Sequence, residues 1–315
     1  MNLLKTLFLV GLLCSANQHL YAQETSEKLL KKHIYTLADD RMQGRGTGSK
    51  QLKEAASYIE KAFKKYGLQP KGTQGYRQSF TAKVTRVKVV DSLRQAENII
   101  GYIDNNAAQT IVIGAHYDHL GLGYQGSSRD ANPLGNIHNG ADDNASGVAA
   151  LLELARYYAG NKQRETYNFL FIAFAAEELG LLGSKYFCAN PTIPIAQINC
   201  MLNMDMIGRY NPENGLAIIG YGTSSAWPQV FESLKAPIKF YTSKDGNGGS
   251  DQTSFYKKDI PVLFFHTGGH PDYHATGDDA EKIDYVALKA IINLEKDIIH
   301  NILKIQHKFD FQFTN

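Results

Sequence analysis

The sequence predicts an α/β fold in which helices cover both faces of a mostly parallel, mixed central sheet, giving three layers. From Glu97 onward, short apolar runs alternate with amphipathic helical segments, a pattern typical of a parallel sheet. Residues 282–304 form a long final segment with helical spacing. The 315 residues are 43% hydrophobic, which is enough to bury a sizeable core.

The first residues have the layout of a secretory signal peptide. A lysine precedes the apolar run Leu7–Leu13, and the small residue Ala22 stands before a glutamine. We expect residues 1–22 to be removed and the protein to be exported, to the periplasm or the medium. The apolar run is too short to serve as a lasting membrane anchor. Lipid attachment through Cys14 is the less favoured route, because a leucine, not a small residue, precedes it.

The mature chain, residues 23–315, is predicted to be one domain. Residues 23–95 form a helical lead-in with a strand, and residues 96–315 form the core. Cys188 and Cys200 remain after cleavage. An oxidising compartment allows them to pair, and two buried thiols are an equal alternative.

Charge excludes some classes of partner. The formal net charge is +2 and is spread along the chain. No basic tract for nucleic acid and no polybasic membrane patch is therefore predicted.

The lead-in contains a glycine-rich loop, GRGTGS, at residues 44–49. It lies between helical patterns over residues 27–40 and 50–67. It lacks the GKS or GKT ending of a phosphate-binding loop and follows a helix instead of a strand, which favours a structural role.

Potential metal ligands stand where apolar runs end or a helix begins. In an open α/β sheet the strand ends line the ligand crevice, so residues dispersed in sequence can converge there. The candidates are His116, Asp143, Glu178, Asp205 and His274.

His116 and Asp118 lie two residues apart in GAHYDHLG. If the strand continues, both side chains project to the same side. Asp118 could then accept the second ring proton of a metal-bound His116. A solvent-facing pair is the alternative.

Two adjacent aspartates precede the helix that begins near Ser146. Asp142 is interpreted as a helix cap. The two oxygens of Asp143 could instead each bind one cation.

Two glutamates follow a wholly apolar strand in AFAAEELG. Glu178 is predicted to bind metal, and Glu177 to remain free as a general base and then acid. A capping pair is the alternative. Asp205 interrupts another apolar strand, where an unpaired carboxylate would be costly; an ion pair with Arg209 would also satisfy it.

The segment GGHPDYHATGDD follows the last predicted strand. His274 is the predicted ligand, Asp278 its possible partner, and Tyr273 a donor to a developing oxyanion. The glycine- and asparagine-rich residues 121–140 are expected to form a loop on the rim of the site. No role is assigned to His138, His266 or His270.

Together these motifs resemble the secreted bacterial co-catalytic di-zinc aminopeptidases. This family includes glutamate carboxypeptidase, glutaminyl cyclase and transferrin-receptor-like relatives. The resemblance covers about two thirds of the chain, from Glu97 to the end. It rests on AHYDHLG, NGADDNASGVAALLELA, AAEELGLLGS, LNMDMIGR and YHATGDD, in the family's order.

The resemblance implies two zinc ions and peptide substrates with a free N-terminus. One zinc would take His116 and Asp205, the other Glu178 and His274, with Asp143 bridging both. Mixed imidazole and carboxylate ligands suit zinc better than magnesium. Glu177 would activate the water held by the two ions, and the N-terminal peptide bond would be hydrolysed.

Three alternatives remain open. Glutaminyl cyclase chemistry is an acyl transfer that releases ammonia; such relatives generally use one zinc, so the presence of both His116 and Asp205 favours hydrolysis. A carboxypeptidase or dipeptidase could use the same fold. A non-catalytic binding module is a third possibility, and the complete ligand set argues against it.

One motif departs from the family. Many relatives have serine, aspartate and histidine before a phenylalanine, where this chain has GGSDQTSF with Gln252 in the histidine's place. Asp251 is a candidate substrate contact because this loop approaches the pocket in the family. Arg209 is a second candidate.

Overall fold

The computed structural model describes residues 24–314, so the predicted signal peptide and Cys14 lie outside the described residues. Nine strands form one sheet. Their bounds are β1 Gln69–Pro70, β2 Arg77–Lys83, β3 Leu93–Ile103, β4 Thr110–His116, β5 Asn168–Phe174, β6 Ile198–Met204, β7 Leu216–Ile219, β8 Phe240–Ser243 and β9 Val262–His266.

The order of the strands across the sheet is β1-β3-β5-β4-β6-β9-β7-β8, with β2 paired to β3. The central strands β5, β4, β6 and β9 run parallel. Antiparallel pairs join β3 to β5 and β7 to β9, which makes the sheet mixed. The predicted fold class is therefore confirmed.

Helices cover both faces of the sheet. They are α1 Glu27–Leu37, α2 Lys50–Tyr66, α3 Gly147–Gly160, α4 Leu182–Ala189, α5 Trp227–Phe231, α6 Gln252–Tyr256 and α7 Tyr285–Leu303. The first two begin at serine caps: the Ser26 and Ser49 side chains accept hydrogen bonds from Leu29 N and Leu52 N, as expected at helix starts.

The central strands separate two hydrophobic cores. All seven residues of β4 are buried, and successive side chains point to opposite faces. Ile111 and Ile113 pack into the core shared with α1, α2, α3 and α7. Val112 packs into the smaller core with Phe187 and Phe255, from α4 and α6.

The cysteines lie in different cores: Cys200 in the larger and Cys188 in the smaller. Both are free and buried, so the alternative of two buried thiols describes the structure. Among the helices of residues 24–314, none is both long and apolar enough to cross a membrane.

Candidate metal centre

The sheet topology brings the predicted ligands together at one edge. His116 is the last residue of β4, and Asp205 directly follows the neighbouring parallel strand β6. Glu178 follows β5, on the other side of β4. Because the carboxyl ends of parallel strands meet at one edge, three distant segments converge there.

The first group of donors is His116, Asp143 and Asp205. His116 Nε2 lies 3.2 Å from Asp143 Oδ1 and 3.3 Å from Asp205 Oδ1. All three residues are buried. This group corresponds to the first predicted zinc site, including the bridging aspartate.

The second group surrounds the other oxygen of Asp143. His274 Nε2 lies 3.2 Å from Asp143 Oδ2 and 3.2 Å from Glu178 Oε2. Asp143 therefore offers one carboxylate oxygen to each group. This is the geometry that a carboxylate needs to bridge two cations.

His119 also belongs to the second group, together with Asp143 and Glu178. Its Nδ1 lies 2.8 Å from Glu178 Oε1 and 3.7 Å from Asp143 Oδ2. His119 is not among the ligands predicted from the sequence. The available signal was a second histidine in the motif of His116, directly after Asp118.

The donors have the spacing and chemistry of a zinc centre. Two donors that bind one zinc ion tetrahedrally at roughly 2.0–2.1 Å are about 3.3 Å apart, which is close to the 3.2–3.3 Å measured in both groups. Four buried donor atoms lie close together but lack the alignment of a hydrogen bond: His116 Nε2, His119 Nδ1, Glu178 Oε1 and Asp205 Oδ1. Buried polar atoms need partners, and metal ions would supply them.

The electrostatics of the site also favour cations. Burial lowers the pKa of His116, but the carboxylates of Asp205 and Glu177 outweigh it and raise that pKa well above its usual value. Burial raises the pKa of Glu177, and the charges of Glu178 and Asp205 raise it further. The centre therefore has excess negative charge that two divalent ions would offset.

Asp118 supports the site in a different way from the prediction. His116 Nδ1 lies 3.1 Å from the backbone carbonyl of Asp118 and 3.8 Å from its carboxylate. That carboxylate instead accepts hydrogen bonds from Glu177 N and Thr47 Oγ1, both at 3.0 Å. β4 ends at His116, so the strand alternation assumed for Asp118 does not continue.

His274 and Asp278 have separate partners. His274 Nδ1 donates to the carbonyl of Ser127 over 2.9 Å, which places the rim loop behind this ligand. Asp278 accepts from the backbone amides of Asp142 and Asp143 at 3.0 Å. Asp278 thus orients the bridging aspartate, not His274 as predicted.

Glu177 and Tyr273 line a cavity of about 370 Å³ that adjoins both groups. Asp143, Asp205 and His274 also face it. Burial raises the pKa of Tyr273, as do nearby carboxylates, so its hydroxyl stays protonated and able to donate.

The two predicted substrate contacts are not in the cavity wall. Asp251 is fully buried, and burial raises its pKa to about 7. Arg209 pairs with Asp272 at 3.1 Å. Contact of Asp251 or Arg209 with substrate remains a prediction.

The glycine-rich loop contains Arg45, a buried cation for which the sequence predicted no role. The guanidinium of Arg45 donates to the carbonyls of Tyr117, Asn139 and Gly140 at 2.7–2.9 Å, and also to that of Leu37. These bonds join the segment that carries His116 and His119 to the segment that carries Asp143. The structural role predicted for the loop is the one observed.

We expect His119→Ala to weaken metal binding at the second group by about 10- to 100-fold, the usual effect of losing a ligand's support. The reason is its position against Glu178. Metal content after graded chelation, measured by mass spectrometry, tests this. The control is His307→Ala, at an exposed position. If both variants retain the same amount of metal, His119 has no role in metal binding.

Comparison with solved structures identifies proteins of the same fold. A leucine aminopeptidase precursor from Bacteroides thetaiotaomicron VPI-5482 superposes with a TM-score of 0.68 at 20% identity, over 88% of this chain and 98% of that one. Glutaminyl cyclase from Bacteroides thetaiotaomicron gives 0.69 at 21% identity, over 88% and 98%. At these identities the likeness shows the fold.

Sequence relatives point the same way. A probable leucine aminopeptidase from Trichophyton verrucosum (strain HKI 0517) is 26% identical over 244 residues, which are 74% of this chain and 61% of that protein. The chain thus spans less than two thirds of that relative. Residues 98–298 match the sequence profile of peptidase family M28, a span that contains every residue of both donor groups. The chain therefore belongs to peptidase family M28, a family of metallopeptidases.

Proposed function

We propose that this protein is an exported zinc aminopeptidase that hydrolyses the N-terminal bond of peptides. One observation supports this most: Glu177 lines the cavity that adjoins both donor groups but belongs to neither group. Export rests on the signal-peptide pattern of residues 1–22.

The charge of the cavity distinguishes the two ends of a peptide. Among the residues that the structure describes, no lysine or arginine lines the cavity. A C-terminal carboxylate would find no cationic side chain to pair with there, whereas an N-terminal ammonium group would meet the carboxylate of Glu177, which lies outside both donor groups. The cavity therefore favours aminopeptidase over carboxypeptidase activity.

His116, His274 and three carboxylates would hold the zinc ions, with His119 beside Glu178. When bound, the ions supply Lewis-acid polarisation of the scissile carbonyl and lower the pKa of water. Glu177 faces the cavity and is not one of the donors in either group. Its carboxylate can take a proton from the attacking water and return it to the leaving nitrogen.

Positioning comes from the surrounding residues. The amide of Glu177 is held by Asp118 at 3.0 Å, which fixes the base at the end of β5. Tyr273 stacks on His274 with ring centroids 3.9 Å apart, so its hydroxyl is held at the cavity wall. From there it can donate to the carbonyl oxygen as negative charge develops.

The test is a set of short peptides, each in free and N-acetylated form, incubated with the zinc-loaded protein. We expect release of the first residue from free peptides, and a loss of about 100-fold or more in kcat/KM on acetylation, since the ammonium contacts are removed. Metal content is measured on the same sample.

Other outcomes would support the alternatives. Ammonia released from N-terminal glutamine peptides, without free amino acid, would indicate glutaminyl cyclase chemistry. Cleavage of acetylated peptides from the C-terminus would indicate a carboxypeptidase. A folded protein that takes up no zinc would contradict the proposed metal centre.

A further inference from the structure

The central cavity is lined by apolar residues as well as carboxylates. Met206, Ile219 and Phe264, together with two glycines, form its apolar wall, and Ile219 pairs with Phe264 across β7 and β9. The exception is His266, the last residue of β9, which also lines the cavity. A single polar side chain in an apolar recess is a means of fixing the orientation of a ligand and selecting among ligands.

The orientation of the His266 ring is set by two contacts. Its Nδ1 lies 2.9 Å from the backbone carbonyl of Asp205. Its ring stacks on Phe264 with centroids 5.5 Å apart and planes at 29°. These contacts tie the imidazole to the segment that carries a metal ligand and to the apolar wall.

The first contact also determines where the ring can accept a hydrogen bond. A carbonyl oxygen only accepts, so this network assigns the proton to Nδ1. In a neutral imidazole the lone pair then lies on Nε2. Among residues 24–314, no group donates a hydrogen bond to His266 Nε2. His266, which lines the cavity, thus has a ring acceptor without a partner among the described residues.

Substrate geometry directs one side chain toward this acceptor; this step rests on the proposed aminopeptidase function. The scissile carbonyl must lie at the donor groups, and the first residue's Cα is bonded to that carbonyl carbon. Met206 directly follows the ligand Asp205 and begins the apolar wall. The side chain of the N-terminal residue is therefore close enough to reach the apolar wall that includes His266.

We propose that His266 is a specificity-determining residue that selects N-terminal residues with a large apolar body and a terminal hydrogen-bond donor, tyrosine above all. The apolar wall contacts the body of the side chain, and Nε2 accepts from its hydroxyl. A phenylalanine in the same place would remove water from Nε2 without replacing that hydrogen bond, which is unfavourable.

The test uses three p-nitroanilides that differ at one position of the ring: those of tyrosine, phenylalanine and O-methyltyrosine. For the wild-type zinc-loaded protein at alkaline pH, we expect kcat/KM for tyrosine to exceed both others by about five- to tenfold, the range for one net hydrogen bond. O-methyltyrosine retains the bulk of tyrosine but has no donor.

His266→Phe keeps a planar ring beside Phe264 and removes the acceptor. We expect the ratio of kcat/KM for the tyrosine substrate to that for the phenylalanine substrate to fall to about one or below. This ratio does not depend on a change in the absolute rate. Ile219→Val alters the same apolar wall without touching the acceptor, and it should retain the preference. Metal content and melting temperature show whether each variant is folded.

The outcomes separate this inference from the proposed function. If no free amino-terminal anilide or peptide is hydrolysed, the aminopeptidase function fails. If all three are hydrolysed with equal kcat/KM in the wild type, or if His266→Phe keeps the tyrosine preference, the function stands and the role of His266 is excluded. The wild-type comparison alone suffices if the variant does not fold.

Discussion

Replacing Glu177 with glutamine should lower kcat for peptide hydrolysis by about 10²- to 10⁴-fold, the usual contribution of a general acid–base residue, while the protein keeps its metal. Glutamine has nearly the same shape, so the hydrogen bond from its backbone amide to Asp118 should persist. It cannot accept the proton of the attacking water. Glu177 also lies outside both groups of potential metal ligands.

The measurement combines kcat on a free peptide with metal content by mass spectrometry. Glu281→Gln, which removes an exposed carboxylate, is the matched control and should leave both unchanged. Full activity in metal-replete Glu177→Gln protein would mean that another group takes the proton. Loss of metal together with activity would instead make Glu177 part of the binding site.

The positions of the ligands could be predicted because they follow from local patterns and one rule of topology. His116 is the last residue of one buried strand and Asp205 directly follows another. Parallel strands end at the same edge of a sheet. That reasoning places side chains at an edge of the sheet. For His116 and Asp205 it does not depend on the details of any loop, whereas Asp143 precedes a helix and His274 lies in the segment after β9.

The partners of these ligands could not be predicted in the same way. His274 is oriented by a backbone carbonyl, that of Ser127, and any residue type would supply one. Asp118 and His119 follow the last residue of β4, where strand alternation ends and the turn decides each direction. The family resemblance named the ligands but left His119 and His266 without roles.

Arg45 shows a further limit, since an arginine in a glycine-rich loop is usually exposed. Its side chain is fully buried, and burial lowers its pKa to about 10, against the opposing effect of Asp118 and Asp143. It therefore remains charged at neutral pH. Only the folded structure shows that carbonyls from three separate segments converge on it.

We expect Arg45→Met to reduce the free energy of unfolding by about 3 to 5 kcal/mol, the cost of removing one partner from a buried charged network. The carbonyls of Leu37, Tyr117, Asn139 and Gly140 would lose their donor, and each buried unpaired acceptor is costly. Urea unfolding followed by circular dichroism, with and without zinc, measures the loss.

Arg45→Lys separates charge from hydrogen bonding at this position. Lysine keeps the positive charge beside the carboxylates, but it lacks the planar fork that reaches several carbonyls at once. If hydrogen bonding dominates, Arg45→Lys should lose most of the free energy of unfolding that Arg45→Met loses. If charge dominates, the stability of Arg45→Lys should stay close to that of the wild type.

The control is Arg41→Met. Arg41 is largely exposed, with 88% of its side chain accessible, so this substitution should lower the free energy of unfolding by less than about 1 kcal/mol. If Arg45→Met also loses less than about 1 kcal/mol of unfolding free energy, water can replace the guanidinium. In that case the hydrogen bonds of Arg45 are not needed to hold the segments of His116 and Asp143 together.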